Sequence, residues 1–122
     1  MSIAFWSIKV VSNKPVEFQP PEGYVVNVQQ IALVNGKDKA SYVVSVDTLA
    51  IEGDKLSAVL GTLRTGGVEQ FNVNLVFGYD VPAKFSVAST DNNGAVYLSG
   101  YYQPAPEDGE DGKLPMFSFS FW

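Results

Sequence analysis

Apolar side chains recur at every second position along most of this chain, and the breaks between these runs are short and rich in Gly, Pro, Asn and Asp. A period of two is the signature of a strand with one face buried and the other wet. Residues 3–11 (IAFWSIKVV) form the first such run. Residues 24–34 (YVVNVQQIALV) form a long one, with Val26, Val28 and Gln30 on one face and Val25, Asn27 and Gln29 on the other. In residues 40–51, Tyr42, Val44, Val46 and Thr48 oppose Val43, Ser45, Asp47 and Leu49. Residues 55–64 (KLSAVLGTLR) fit a strand or a short helix; Gly61 is a poor helix residue and the neighbours are strands, so a strand is expected. Residues 69–78 set Phe71, Val73, Leu75 and Phe77 against Gln70, Asn72 and Asn74. Residues 83–89, with Phe85 and Val87 inward, and residues 95–103 complete the series.

The breaks have their own chemistry. Pro15, Pro20 and Pro21 interrupt regularity, and Glu22-Gly23 makes a turn. Asn35-Gly36 is a strong turn signal because both residues tolerate positive φ. Gly53-Asp54, Thr65-Gly66-Gly67 and Asp91-Asn92-Asn93-Gly94 turn the chain again. Residues 104–115 (PAPEDGEDGKLP) read as a loop. The terminal MFSFSFW alternates once more and is expected to add a strand to this subunit or to a neighbour, since an exposed apolar strand invites aggregation. The pattern therefore predicts an all-β domain of about eight strands with no helix, a sandwich, jelly roll or barrel. Residues 1–106 form its core, and residues 107–122 an acidic loop plus the Phe-rich strand.

Composition narrows the chemistry. The 122 residues, 46% of them hydrophobic, suffice for one domain with a proper core. Cysteine and histidine are both absent. Disulfides, thiolate metal sites, a cysteine nucleophile and the commonest acid–base and metal-ligating side chain are thereby removed. No catalytic residue, metal or cofactor is expected. Asp47, Glu52 and Asp54 lack any pattern that would make them an acid–base pair or a calcium site, and strand-edge solubility explains them. No apolar stretch approaches the roughly 20 residues a membrane span needs, and the first ten residues do not have the form of a signal peptide.

The formal charge of −5 is uneven. Residues 1–106 carry nine acids and seven bases. Residues 107–113 carry Glu107, Asp108, Glu110 and Asp111 against Lys113 alone. An acidic segment of this kind repels nucleic acid and favours basic partners.

Several segments together resemble the nucleoplasmin family. Phe5-Trp6 followed by Ile8-Lys9-Val10 resembles the opening of nucleoplasmin-like domains in nuclear immunophilins and plant nucleolar histone-deacetylase-like proteins, with Ser7 where those have glycine. Val96-Tyr97-Leu98-Ser99-Gly100-Tyr101 resembles the closing-strand motif, preceded by the Asn92-Asn93-Gly94 turn and followed by the acidic run Glu107–Asp111. The resemblance spans residue 3 to about residue 112.

It implies an eight-stranded jelly roll that assembles as a homopentameric ring, in some cases stacked into a decamer. It further implies a histone chaperone of the nucleus or nucleolus whose acidic loops bind core histones, with no direct contact to nucleic acid or membrane. On that basis Glu107, Asp108, Glu110 and Asp111 are the candidate histone-binding residues, and Asp80 and Asp91 candidate additions to an acidic face. Phe5, Trp6, Tyr97 and Tyr101 are candidates for core or subunit interface. Two alternatives stay open at this point: a pentameric scaffold within a larger nuclear protein, and an unrelated jelly-roll module that binds a ligand. The acids of 107–111 could also simply keep a loop solvated.

Overall fold

A computed structural model describes residues 4–50, 52–105 and, for the backbone alone, 117–120. It contains nine strands: β1 (Ala4–Val11), β2 (Val16–Phe18), β3 (Tyr24–Val34), β4 (Ser41–Leu49), β5 (Lys55–Arg64), β6 (Gln70–Phe77), β7 (Ala83–Ala88), β8 (Ala95–Pro104) and β9 (Phe117–Ser120). No helix forms among the described residues, so none is long and apolar enough to cross a membrane. The strands build two antiparallel sheets, in the orders β1-β8-β3-β6-β9 and β2-β7-β4-β5. Strands β1 to β8 wind through these sheets as a jelly roll, and β9 extends the first sheet beyond β6.

Alternation explains which side chains face inward. Val26 and Val28 of β3, Tyr42, Val44 and Val46 of β4, Val73, Leu75 and Phe77 of β6, Phe85 and Val87 of β7, and Val96 and Leu98 of β8 are all buried between the sheets. Each large apolar side chain taken fully out of water stabilises the fold by roughly 1.5–3 kcal/mol. Aromatic pairs tie the two layers together. Phe77 of one sheet meets Phe85 of the other edge-on at 5.7 Å, and Trp6 of β1 packs against Phe18 of β2 at 5.2 Å.

Two features differ from the pattern read along the chain. Strand β2 lies where the sequence predicts only Pro-rich irregularity. It is three residues long, sits at the edge of its sheet and pairs with β7, so the flanking Pro15 and Pro20 remove no ladder hydrogen bond from a sheet interior. Gln30 also changes face. The register of β3 shifts between Val28 and Gln30, where Gln29 is an extra residue. The bulge sets Gln30 opposite Ser99, away from the core, and brings Ile31 opposite Leu98 into full burial.

The bulge faces a very close approach of backbone to a glycine. A Cβ on Gly100 would collide with the carbonyl oxygen of Asn27 and stand 3.0 Å from the Cα of Val28. Because the obstacle is backbone, no side chain can swing away. Gly100→Ala is expected to lower the unfolding free energy by about 3 kcal/mol or more, whereas the adjacent Ser99→Ala stays near neutral. Urea titrations of both variants measure this, and a Gly100→Ala variant as stable as the original chain would refute the close approach.

Candidate functional site

Jelly-roll winding gathers loops that are distant in sequence at the two ends of the sandwich. At one end lie the β2–β3 turn (19–23), the β4–β5 turn (50–54) and the β6–β7 loop (78–82). They are stitched to one another: the Gln19 side-chain amide donates to the Tyr79 carbonyl at 2.8 Å, and the Thr48 hydroxyl to the Pro82 carbonyl at 2.9 Å. These loops carry Glu22, Glu52, Asp54 and Asp80, all exposed, and no base. The opposite end, with residues 12–15, 35–40, 65–69 and 89–94, carries three bases (Lys14, Lys37, Lys39) against three acids (Asp38, Glu69, Asp91). The chain is therefore electrostatically polar, with one acidic end.

Glu107, Asp108, Glu110 and Asp111 lie outside the described residues. The residues on either side of that stretch are placed, and both stand at the acidic end. The Ala105 amide donates to the Gly23 carbonyl at 2.7 Å, and Phe117 pairs with Phe77, the last residue of β6. Asp80 belongs to this end. Glu52 and Asp54, which the sequence presents as mere solubility at a strand edge, belong to it too. Nothing local signals this, because it depends on which hairpins share an end.

Asp91 is a correction. It lies at the opposite end, only 8% exposed, and its carboxylate is used internally. The hydroxyl of the fully buried Tyr42 donates to Asp91 Oδ2 at 2.6 Å and accepts the Lys37 amide at 2.8 Å, while Asp91 Oδ1 accepts the Asn93 amide at 3.1 Å. The Tyr42 hydroxyl, then the Asn93 N–H, hold the Asp91 carboxyl below its ordinary 3.8. Burial, reinforced by the Asp91 carboxylate, pushes the Tyr42 hydroxyl above its ordinary 10.0, so it remains a donor at neutral pH. Asp91 is thus a structural anchor for the β7–β8 and β3–β4 loops.

The candidate aromatics separate by strand parity. Trp6 is core. Phe5 and Tyr101 are directly paired across β1 and β8 on the outer face of the five-stranded sheet, and Tyr97 lies on the same face opposite Lys9. Phe5 is 76% exposed and Tyr97 38%. Asn27, Gln30, Asn72 and Asn74 share that face by register, and Lys9 is its one charge among the described residues. The outer face of the other sheet differs sharply, with Glu17, Asp47, Lys55, Arg64 and Lys84. Among the described residues no group of His, Cys, Asp and Glu could hold a metal ion.

Comparison with known proteins agrees with this architecture. A sequence model of the family described as "Nucleoplasmin-like domain" matches residues 5–103. Relatives named histone deacetylase HDT1 are 36% identical, one from Arabidopsis thaliana over 82% of this chain and one from Solanum chacoense over 88%. The chain spans only 38% and 37% of the lengths of those two proteins. Among solved structures, Drosophila NLP-core superposes with a TM-score of 0.66 at 20% identity, covering 82% of this chain and 98% of that one. Its crystal structure is described as providing insight into pentamer formation and histone binding. The nucleoplasmin-like N-terminal domain of Drosophila FKBP39 superposes with a TM-score of 0.55 at 16% identity, over 88% and 94% of the two chains. At these identities the structural likeness is one of fold.

The Tyr42–Asp91 pair has a definite pH signature. A carboxyl held below its ordinary value stabilises the folded chain above about pH 4, and that contribution is lost as pH falls through the depressed value. Asp91→Asn is therefore expected to reduce the unfolding free energy at neutral pH, with a deficit that narrows as pH falls below the ordinary 3.8. Urea unfolding across that range tests it; a deficit independent of pH would show that the carboxylate's charge contributes nothing.

Proposed function

The chain belongs to the nucleoplasmin-like domain family, and from that premise we propose that it is a non-enzymatic histone chaperone domain of the nucleus whose acidic end receives core histones. The observation that carries the reading is the gathering of Glu22, Glu52, Asp54 and Asp80 at one end, where the flanks of the Glu107–Asp111 segment also stand. Histones are strongly cationic, and carboxylates compete with DNA phosphates for them through exposed, screened charge pairs. Such contacts are individually weak. Their strength comes from number, and a ring supplies number.

Assembly into a homopentamer, stacked or single, follows the precedent of Drosophila NLP-core, whose structure is described in terms of pentamer formation. Repeating the acidic end five times raises the effective concentration of carboxylate around a bound histone. In the ring, subunits meet through the outer face of the five-stranded sheet. Its poverty in charge and its outward aromatics, the exposed Phe5 and Tyr97 and the half-buried Tyr101, have the composition of an interface core, where charge is depleted and aromatics enriched.

One further reading has an observation in its favour. Because the curated relatives are much longer than the part matched here, the ring also suits a scaffold that displays attached segments. A scaffold without affinity for histones separates from the chaperone in a binding titration.

Two outcomes are expected. Neutralising Glu107, Asp108, Glu110 and Asp111 to their amides weakens binding to purified core histones at least about tenfold near 0.1 M salt, and neutralising Glu22, Glu52, Asp54 and Asp80 adds to the loss. Fluorescence titration at low and high salt measures both; unchanged affinity in the eightfold variant defeats the chaperone reading. Phe5→Glu and Tyr101→Glu convert the ring to monomer in light scattering without loss of fold, because each places a charge in the contact. A five-subunit mass in both variants moves the interface elsewhere.

A further inference from the structure

The inner side of the sandwich opens at the acidic end. Ala4 of β1, Tyr102 of β8, Tyr24 of β3 and Pro21 of the preceding turn line an apolar cup of about 170 Å³ there. Its geometry follows from register. Ala4 lies directly opposite Tyr102, Tyr102 lies opposite Val26, and Tyr24 stands two residues earlier on the same face of β3. The tyrosines are thus diagonal neighbours, close enough for their rings to touch. They meet edge to face, with centroids 6.3 Å apart and planes at 77°. Pro21 is fixed over the cup by a tight turn closed by the Tyr24 amide on the Pro21 carbonyl at 3.0 Å, with Gly23 at φ +86°. Glu22 stands exposed on that turn, next to Pro21 in the chain.

Three properties of the cup select its occupant. Two rings set nearly at right angles form a corner, and a guest lodged there against their π-faces meets negative quadrupole, which suits a cation. The lining formed by the described residues is almost wholly apolar, so a bare ammonium, a compact and strongly hydrated charge, would lose its water to these groups without replacement. The surrounding end of the molecule is acidic, which favours a cation over a neutral guest of equal size. A methylated ammonium meets all three conditions, because methyl groups remove donors that need partners and add apolar surface for the rings.

We infer that the Tyr24–Tyr102 cup binds a methylated lysine side chain of the basic protein partner. This rests on the histone reading above and sharpens it, since the cup would let the domain distinguish modified from unmodified tails while the carboxylates supply general affinity.

The test uses the whole chain at low salt and three versions of one basic peptide, bearing at one position lysine, trimethyllysine or the uncharged carbon isostere of trimethyllysine. Calorimetry is expected to show the trimethyllysine peptide binding about fivefold more tightly than either other version. That preference disappears in Tyr24→Leu and Tyr102→Leu and survives in Tyr24→Phe and Tyr102→Phe, which keep the π-faces. In the unaltered chain the Tyr24 and Tyr102 ring resonances shift with the trimethyllysine peptide, a measurement that needs no variant to fold. Equal binding of the charged and isosteric peptides, or leucine variants that keep the preference, overturns the proposal. Unmodified histone binding by the leucine variants is expected to be unchanged, so failure here is distinguishable from failure of the chaperone reading itself.

Discussion

The molecule depends on β8 fitting between β1 and β3. These are pairings over long sequence separation, with Ala4 opposite Tyr102 on one side and Tyr24 opposite Pro104 on the other. They close the jelly roll, and they require a glycine where β8 runs against the bulged backbone of β3. Without this insertion the first strand has no partner, the Trp6–Phe18 contact between the sheets does not form, and the loops no longer sort into two ends. Long-range pairing of this kind gathers nothing until it is nearly complete, which explains why so much of the structure hangs on one strand.

From that closure follows the electrostatic polarity. A jelly roll brings its loops together at two ends, so the acids they carry either accumulate at one end or are spread over both. Here they accumulate. The opposite end is built differently, around a buried Tyr42 hydroxyl and a nearly buried Asp91 that together hold two loops. One end is thus a hydrogen-bonded anchor with balanced charge, and the other a set of exposed carboxylates around the open mouth of the core. This division gives the protein a side for partners without weakening the packing that supports it.

The aromatics obey the same logic of position. Trp6 belongs to the core because it falls on the inward parity of β1, and Phe5, one residue away, is outward for the same reason. Tyr101 and Tyr102 divide likewise, one toward the outer face and one toward the mouth of the sandwich. Three surfaces with distinct chemistry arise from single-residue steps: a packed interior, a nearly uncharged outer face suited to a subunit contact, and an apolar cup beside acids.

Much of this is legible in the sequence because strand periodicity is local. Alternation in residues 40–51, 69–78 and 83–89 sorts the side chains of β4, β6 and β7 into the two faces that the sheets show, and the Gly-, Asn- and Pro-rich breaks mark most turns. The motif residues around Phe5-Trp6 and Val96–Tyr101 carry the family. Where a register shift intervenes, alternation fails: Gln29 is one residue too many, so Gln30 and Ile31 exchange faces, and no local pattern announces it. Strand β2 is invisible to periodicity because three residues between prolines are too few to show a period. The site lies further out of reach. Glu22, Glu52, Asp54 and Asp80 are scattered along the chain, and Asp91 reads like any of them, yet four converge on one exposed end while the fifth is drawn beneath a loop by Tyr42. A carboxylate's role depends on which strands end beside it and how much water remains, and pairing between distant strands decides both.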